Sequence, residues 1–112
     1  MVQALTQSLT LTEFLKLPET KPASEYVDGQ IIQKPMPQGE HSTLQGDLVS
    51  TINAVLKPQK IARAYPELRC TFGGRSTVPD VAVFQWGRIP RRADGRVENV
   101  FIIAPDWTIE IL

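Results

Sequence analysis

The chain has 112 residues, which suffices for one domain that buries roughly two-thirds of the surface its unfolded form exposes. Hydrophobic residues make up 42% of it and charged residues 21%, which indicates a globular chain and not a disordered one. Lysine plus arginine equals aspartate plus glutamate, at 12 each, so no overall positive field indicates nucleic-acid binding, although a local basic patch stays open.

The first predicted element is a short helix. Residues 1–9 show little periodicity and are expected to form a flexible N-terminus, which leaves a single domain over residues 10–112. Thr10 and Glu13 have the spacing of a capping box, in which each side chain bonds the other residue's backbone N–H. This spacing predicts a helix that begins after Thr10 and ends near Leu17.

A β-hairpin and a long helix are predicted next. Asp28-Gly29 separates two β-prone runs, 24–27 and 30–33, and a tight turn of this kind needs positive φ at both residues. Over residues 39–56 the apolar residues recur at helical spacing, which predicts one amphipathic helix with a core-facing stripe. The stripe consists of Leu44, Leu48, Ile52, Val55 and Leu56.

The second half of the chain is predicted to be mainly β-structure. Residues 62–72 alternate between polar and apolar, which predicts one half-buried strand. A turn at 73–76 and an apolar run over 77–86 predict a second hairpin, followed by a polar loop over 87–106. The last strand is expected to start near Trp107. These elements together predict an α/β fold in which one main helix packs on a sheet.

Cysteine content and hydropathy exclude several classes of protein. The single cysteine, Cys70, cannot form an internal disulfide, and no Cys/His cluster has the spacing of a zinc site. The N-terminus has no basic region followed by an apolar stretch, and no run approaches the roughly 20 apolar residues of a membrane span. These features predict a cytoplasmic domain with no membrane partner.

Two acidic residues lie within otherwise apolar, β-prone runs. Asp80 follows Pro79 at the start of one run, and Glu110 lies in the last strand. A buried carboxylate is costly unless a cation or strong donors compensate it. We therefore predict that both acids are buried and share a metal ion. Carboxylate oxygens are hard ligands that suit Mg²⁺ or Mn²⁺, and such an ion generates hydroxide and stabilises charge on a phosphodiester.

Each candidate residue also has a purely structural interpretation. Asp80 alone is explained as a strand-start residue that bonds a turn amide, and Glu110 as a carboxylate on a solvent-exposed face. His41, the only histidine, lies three residues before Leu44 and shares its stripe, where a core or capping role is commoner than a catalytic one. If that helix begins beside the metal site, His41 is expected to bind a phosphate or orient a water. Glu25 is by default an exposed strand acid.

Four motifs follow one another along the chain. They are Ser24-Glu25-Tyr26-Val27-Asp28-Gly29-Gln30-Ile31, His41 at the start of a helix, Val78-Pro79-Asp80-Val81-Ala82 and Asp106-Trp107-Thr108-Ile109-Glu110-Ile111-Leu112. Their order and spacing resemble the Uma family of restriction-endonuclease-like proteins, which is placed in the PD-(D/E)XK nuclease superfamily. The resemblance covers the chain from about residue 10.

The resemblance implies a fold, a cofactor and a set of site residues. The fold is restriction-endonuclease-like, a mixed β-sheet with flanking helices. Pro79-Asp80 resembles the PD of the superfamily and Glu110 its second acid, which implies that Asp80 and Glu110 bind Mg²⁺ (or Mn²⁺) as catalytic residues. Glu25 and His41 match recurrent positions of the family and are the remaining catalytic candidates. DNA is then the expected partner, and a homo-oligomer is left open.

The chain departs from the superfamily pattern at one position. A lysine normally stands two residues after the second acid, where this chain has Leu112. Family members are longer and carry their lysine further on, so the chain is expected to be the N-terminal part of a longer domain. We therefore expect weak or absent DNA cleavage. The alternatives are a non-catalytic remnant that binds nucleic acid or protein, and a truncated product whose exposed sheet edge drives self-association.

Overall fold

The computed structural model describes residues 9–112, so the predicted flexible segment 1–9 lies outside them apart from Leu9. The helices are α1, Leu11–Leu15, and α2, Gly39–Leu56, and a 3₁₀ turn covers Trp86–Arg88. The strands are β1 Ser24–Val27, β2 Gln30–Gln33, β3 Ala62–Pro66, β4 Cys70–Phe72, β5 Arg75–Thr77, β6 Val81–Gln85 and β7 Trp107–Ile109. No helix in this part of the chain has the length and apolar character needed to cross a bilayer.

The strands form two antiparallel sheets. One has the order β2-β1-β5-β4 and the other the order β3-β6-β7, and a parallel bridge joins Cys70 to Phe101. The chain changes sheet three times: between β2 and β3, between β3 and β4, and between β5 and β6. The predicted α/β class is confirmed, but the described strands divide between two sheets where the prediction had one mixed sheet.

Two local predictions are confirmed in detail. In the capping box, the Thr10 N–H donates to Glu13 Oε1 at 2.9 Å, and the Glu13 N–H donates to Thr10 Oγ1 at 3.1 Å. The helix nevertheless ends before the predicted Leu17. In the hairpin, Asp28 and Gly29 have φ values of 52° and 78°, which is the left-handed conformation that the tight turn needs.

The prediction of one strand over 62–72 is wrong. β3 ends at Pro66, and Glu67 has a φ of 47°, a left-handed conformation that breaks the strand. The next strand, β4, therefore joins the other sheet and pairs with β5 through the Gly73-Gly74 turn. The second hairpin is accordingly β4–β5, and the apolar run after Asp80 becomes β6, which pairs with β3 and β7.

Strand β6 is buried on both faces, which explains its continuous apolar run. The cluster on one face contains Cys70, Ala82, Phe84, Ile89 and Phe101. The cluster on the other face contains Ala62, Ala64, Val81 and Val83, and it is covered by the α2 residues Leu48, Val49, Ile52 and Leu56. Because β6 lies between these two clusters, the start of β6 and the Asp80 that precedes it are firmly positioned.

The predicted apolar stripe of α2 is confirmed only in part. Leu48, Ile52 and Leu56 pack on the second cluster, but Leu44 and Val55 are 48% and 55% exposed. The buried position in the N-terminal half of the helix belongs instead to Gln45. A polar side chain is tolerated there because its amide donates to the Asp80 carbonyl at 2.7 Å.

We expect the Cys70 thiol to be unreactive in the folded protein. The residue is fully buried, and burial raises the pKa of its thiol to about 11 from an ordinary 9.0. At neutral pH this shift leaves ~100-fold less of the reactive thiolate. Reaction with an aromatic disulfide reagent should therefore be at least ~100-fold slower in buffer than in concentrated urea, followed by the absorbance of the released thiol. Similar rates in the two solutions would contradict the burial of Cys70.

Candidate functional site

Asp80 lies at the entrance to β6 and is only 4% exposed. Its Oδ2 accepts the Ile111 N–H at 2.8 Å and lies 3.2 Å from His41 Nε2. Its Oδ1 lies 3.1 Å from the Lys34 ammonium. The prediction of a buried acid is therefore right for Asp80, and its compensation comes from three separate parts of the described chain.

Glu110 lies beside Asp80 because β6 and β7 pair in antiparallel register, with Val81 opposite Ile109. Its Oε1 accepts the Asp80 N–H at 3.0 Å, and its Oε2 lies 3.5 Å from the Lys34 ammonium. The Glu110 side chain is 51% exposed, so the prediction that both acids are buried is wrong for this residue. Glu110 follows the last residue of β7, Ile109, and within residues 9–112 β7 is an edge strand that pairs with β6 alone.

Lys34 is a site residue that the sequence prediction missed. It follows β2, and its ammonium donates to the Val78 carbonyl and contacts both carboxylates. Its side chain is only 15% exposed, which is unusual because lysines are rarely buried unless paired. One signal was present in the sequence, since Lys34 is the only lysine or arginine between Lys21 and Lys57. A single cationic residue in a long stretch without others is a candidate partner for the acids that lie in apolar runs, Asp80 and Glu110.

The N-terminal half of α2 supplies two polar contacts to Asp80. His41 and Gln45 are four residues apart and therefore lie on the same side of the helix. His41 Nε2 faces the carboxylate, and Gln45 Nε2 donates to the main-chain carbonyl. His41 Nδ1 is buried and has no hydrogen-bond partner among residues 9–112. The helix does begin beside the acids, as the interpretation of His41 required, whereas Gln45 was missed because polar residues of an amphipathic helix normally face solvent.

Glu25 contacts the backbone near Asp80 and not its carboxylate. The Glu25 Oε2 accepts the Val78 N–H at 2.7 Å, and Val78 lies two residues before Asp80. Glu25 is half-buried, so the default interpretation of an exposed strand acid is wrong. It does not line the cleft around Asp80, and its contact instead holds the segment that leads to that residue.

The Asp80 carboxyl is held in its ionised form. Burial by itself raises the pKa of this group, but the Ile111 N–H, the Lys34 ammonium and His41 lower it, and the pKa lies below its ordinary value. Asp80 is therefore a charged acceptor at neutral pH, with a cation directly against it.

The site opens into a cleft of about 250 Å³. Its polar lining consists of Lys34, His41, Glu67, Asp80 and Glu110. A larger cleft of about 340 Å³ lies beside α1, but its lining is mainly apolar, and its charged residues Glu19 and Arg69 pair with each other at 2.7 Å. The smaller cleft is therefore the candidate site, because it brings two carboxylates, Asp80 and Glu110, together with the only histidine of the chain.

The chemistry of this cleft suits a hydrated divalent cation. Residues 9–112 contain no group of three or more His, Cys, Asp and Glu side chains arranged around a metal position. Mg²⁺, however, keeps several waters and is usually held by one or two carboxylates together with substrate phosphates. Asp80 Oδ1 and Glu110 Oε2 already converge on one cation, the Lys34 ammonium. Asp80 and Glu110 are therefore the residues that would hold such an ion.

Comparisons with known proteins agree on one class of protein. The family model Uma2, described as "Putative restriction endonuclease", matches residues 11–112. Among solved structures, the chain is similar to "a putative nuclease belonging to DUF820" from Anabaena variabilis, with 69% sequence identity and a TM-score of 0.91. The match covers 93% of this chain and 58% of that one, so the chain spans less than two-thirds of the length of its neighbour. A search of the curated proteins finds no match.

We expect the Gln45 amide to stabilise the fold. Gln45→Leu removes a buried donor and leaves the Asp80 carbonyl with the Glu67 N–H, at 3.3 Å, as its partner within the described residues. The free energy of unfolding, measured by urea denaturation, should fall by about 1 kcal/mol. The matched control is Gln59→Leu, since the Gln59 amide also donates to a backbone carbonyl at 2.7 Å but on an exposed face. The control should change by less than about 0.5 kcal/mol, and equal losses in both variants would contradict the assignment.

The stability contributed by the Asp80 charge should depend on pH. Because the pKa of Asp80 is lower in the folded protein than in the unfolded chain, its contribution is complete above the unfolded pKa of about 3.9. The contribution is lost as the pH falls through the lower, folded pKa. Asp80→Asn should lower the free energy of unfolding by about 1.5–3 kcal/mol at pH 7. The difference in this free energy between wild type and Asp80→Asn should become smaller below about pH 4.

Urea denaturation between neutral pH and pH 3 measures this difference. Asp47→Asn, on an exposed position of α2, is the control with the same change of charge and should track wild type across the range. A gap between wild type and Asp80→Asn that stays constant down to pH 3 would show that the Asp80 charge does not stabilise the fold.

Proposed function

The chain belongs to the Uma2 family of restriction-endonuclease-like proteins, and on that premise we propose that it is a metal-dependent endonuclease domain that hydrolyses DNA phosphodiester bonds. The resemblance to the Uma family is confirmed by the family match, and the restriction-endonuclease-like fold by the structural likeness. The family is described as a restriction endonuclease and the solved neighbour as a nuclease, and both descriptions support the nuclease class. The metal, the substrate and the residue roles are the proposal.

The convergence of two carboxylates on one cation position carries this proposal. Asp80 Oδ1 and Glu110 Oε2 come from different strands, and both face the Lys34 ammonium at 3.1 and 3.5 Å. Each carboxylate has its second oxygen fixed, Asp80 Oδ2 by the Ile111 N–H and Glu110 Oε1 by the Asp80 N–H. The two remaining oxygens are therefore oriented toward a common point, as a shared ion requires.

Restriction-endonuclease-like nucleases generally use divalent metal ions, and we assign Mg²⁺ or Mn²⁺ to the position between Asp80 and Glu110. When bound there, such an ion supplies a water of lowered pKa and stabilises charge on the phosphate. His41 lies beside Asp80 at the cleft, where its imidazole would orient that water or contact a phosphate oxygen. Glu25 acts indirectly, by holding the Val78 N–H and so the backbone that carries Asp80.

A second candidate function is a non-catalytic domain that binds nucleic acid or a protein partner. Two observations favour it. The position between the acids is taken by Lys34. The net charge of zero also offers no general attraction for DNA.

Nicking of supercoiled plasmid tests the catalytic assignment. Wild-type protein with Mg²⁺ or Mn²⁺ should nick the plasmid, even if slowly, and chelation of the metal should abolish the reaction. Asp80→Asn and Glu110→Gln keep the side-chain shape but remove a ligand charge, so nicking should be at least ~100-fold slower. The nicked fraction is measured on agarose gels, with folding of each variant checked by circular dichroism.

Asp47→Asn serves again as the charge-matched control and should nick as wild type does. Equal nicking by wild type and Asp80→Asn would show that the activity comes from a contaminating nuclease, and it would contradict the catalytic assignment. Calorimetric titration with Mn²⁺ tests the non-catalytic candidate. If the protein binds DNA but shows no Mn²⁺ binding that depends on Glu110, the result supports that candidate instead.

A further inference from the structure

We infer that the Lys34 ammonium occupies the divalent-cation position itself, so that a metal ion binds only when Lys34 withdraws. The inference rests on the proposed metal site and names the residue that regulates it. Lys34 would act as a built-in counterion, which keeps the two acids paired when no metal is bound and competes with the metal for them.

The hydrogen bonds of Lys34 mark a position at which three oxygens face one cation. An ammonium group has three donors, and Lys34 directs them to three oxygens: the Val78 carbonyl, Asp80 Oδ1 at 3.1 Å and Glu110 Oε2 at 3.5 Å. Two carboxylate oxygens and one carbonyl oxygen are the hard donors that Mg²⁺ and Mn²⁺ select. The ammonium therefore already sits in a set of metal ligands.

Lys34 and a metal ion compete because they need the same carboxylate oxygens. Asp80 Oδ2 is occupied by the Ile111 N–H and His41, and Glu110 Oε1 by the Asp80 N–H. Each acid has one oxygen left, and these two oxygens are the ones that Lys34 contacts. A metal ion held by these same oxygens would lie directly against a like charge in a partly buried cleft, which is unfavourable. Metal and ammonium therefore exclude each other.

Lys34 has the physical means to withdraw. Its charge is carried on a flexible four-carbon stem, and a lysine ammonium is strongly hydrated when released to water. The residue lines the cleft and keeps 15% of its side chain exposed, so a path to solvent exists without movement of the strands. Nothing comparable holds for Ile111, whose contact to Asp80 is made by the main chain.

Lys34→Met tests the inference, because it removes the charge and keeps most of the length of the side chain. In calorimetric titration, Lys34→Met should bind Mn²⁺ at least ~10-fold more tightly than wild type, since no counterion has to leave. Without metal, the variant should melt at a lower temperature than wild type, because the acids lose their partner. Saturating Mn²⁺ should raise its melting temperature by more than it raises that of wild type.

The control is Lys57→Met, which makes the same change of charge at the far end of α2 from His41. It should bind Mn²⁺ as wild type does, so a gain confined to position 34 cannot come from net charge alone. Lys34→Gln is the second variant, since it keeps a neutral donor for the Val78 carbonyl and stays folded if methionine is not tolerated. It should also bind Mn²⁺ more tightly than wild type.

Two results would overturn the inference, and they are distinguishable. In the first, both position-34 variants bind Mn²⁺ no more tightly than wild type, and Asp80→Asn loses the binding that wild type has. This result contradicts competition by Lys34 but supports the metal site. Absence of Mn²⁺ binding in wild type and in both variants removes the metal site and the inference together.

Discussion

The structure depends on the compensation of one buried charge, the Asp80 carboxylate. An uncompensated carboxylate at 4% exposure would be severely destabilising, so its partners must be brought to it by the fold. Lys34 follows the first hairpin, His41 lies on the main helix, and the Ile111 N–H follows the last strand. Three elements that are distant in sequence thus meet at one side chain. The contacts that neutralise Asp80 are also the contacts that assemble the site.

The backbone on either side of Pro79 shows how the two sheets are joined. This segment links β5 of one sheet to β6 of the other and belongs to neither ladder. Its polar groups are bonded by side chains instead: the Val78 N–H by Glu25, the Val78 carbonyl by Lys34, the Asp80 N–H by Glu110 and the Asp80 carbonyl by Gln45. A buried segment outside a sheet requires such partners. Two candidate catalytic residues, Glu25 and Glu110, therefore also hold the segment that connects the sheets.

What the sequence predicts well here is encoded locally. The capping box, the Asp28-Gly29 hairpin and the bounds of α2 follow from residues that are close in sequence. The break at Glu67 was not predictable from the alternation of polar and apolar residues, because this alternation continues across Glu67. The extended backbone conformation is nevertheless interrupted there. Lys34 and Gln45 were missed for a related reason, since their partners lie 46 and 35 residues away. Burial of Glu110 was overestimated because an apolar run does not show that its strand lies at a sheet edge.

In the proposed metal site, the use of Lys34 as a partner for both acids has a cost for metal binding. Two carboxylates close enough to hold a divalent ion repel each other when no ion is present, and a site selected for metal affinity alone would be unstable without metal. A lysine between them removes this penalty, but any incoming metal must then replace an existing ion pair. The apparent affinity for the metal is reduced by the stability of that pair, as in any exchange between two bound states. In the proposed site, stability without metal and affinity for metal are therefore opposed at one side chain, Lys34.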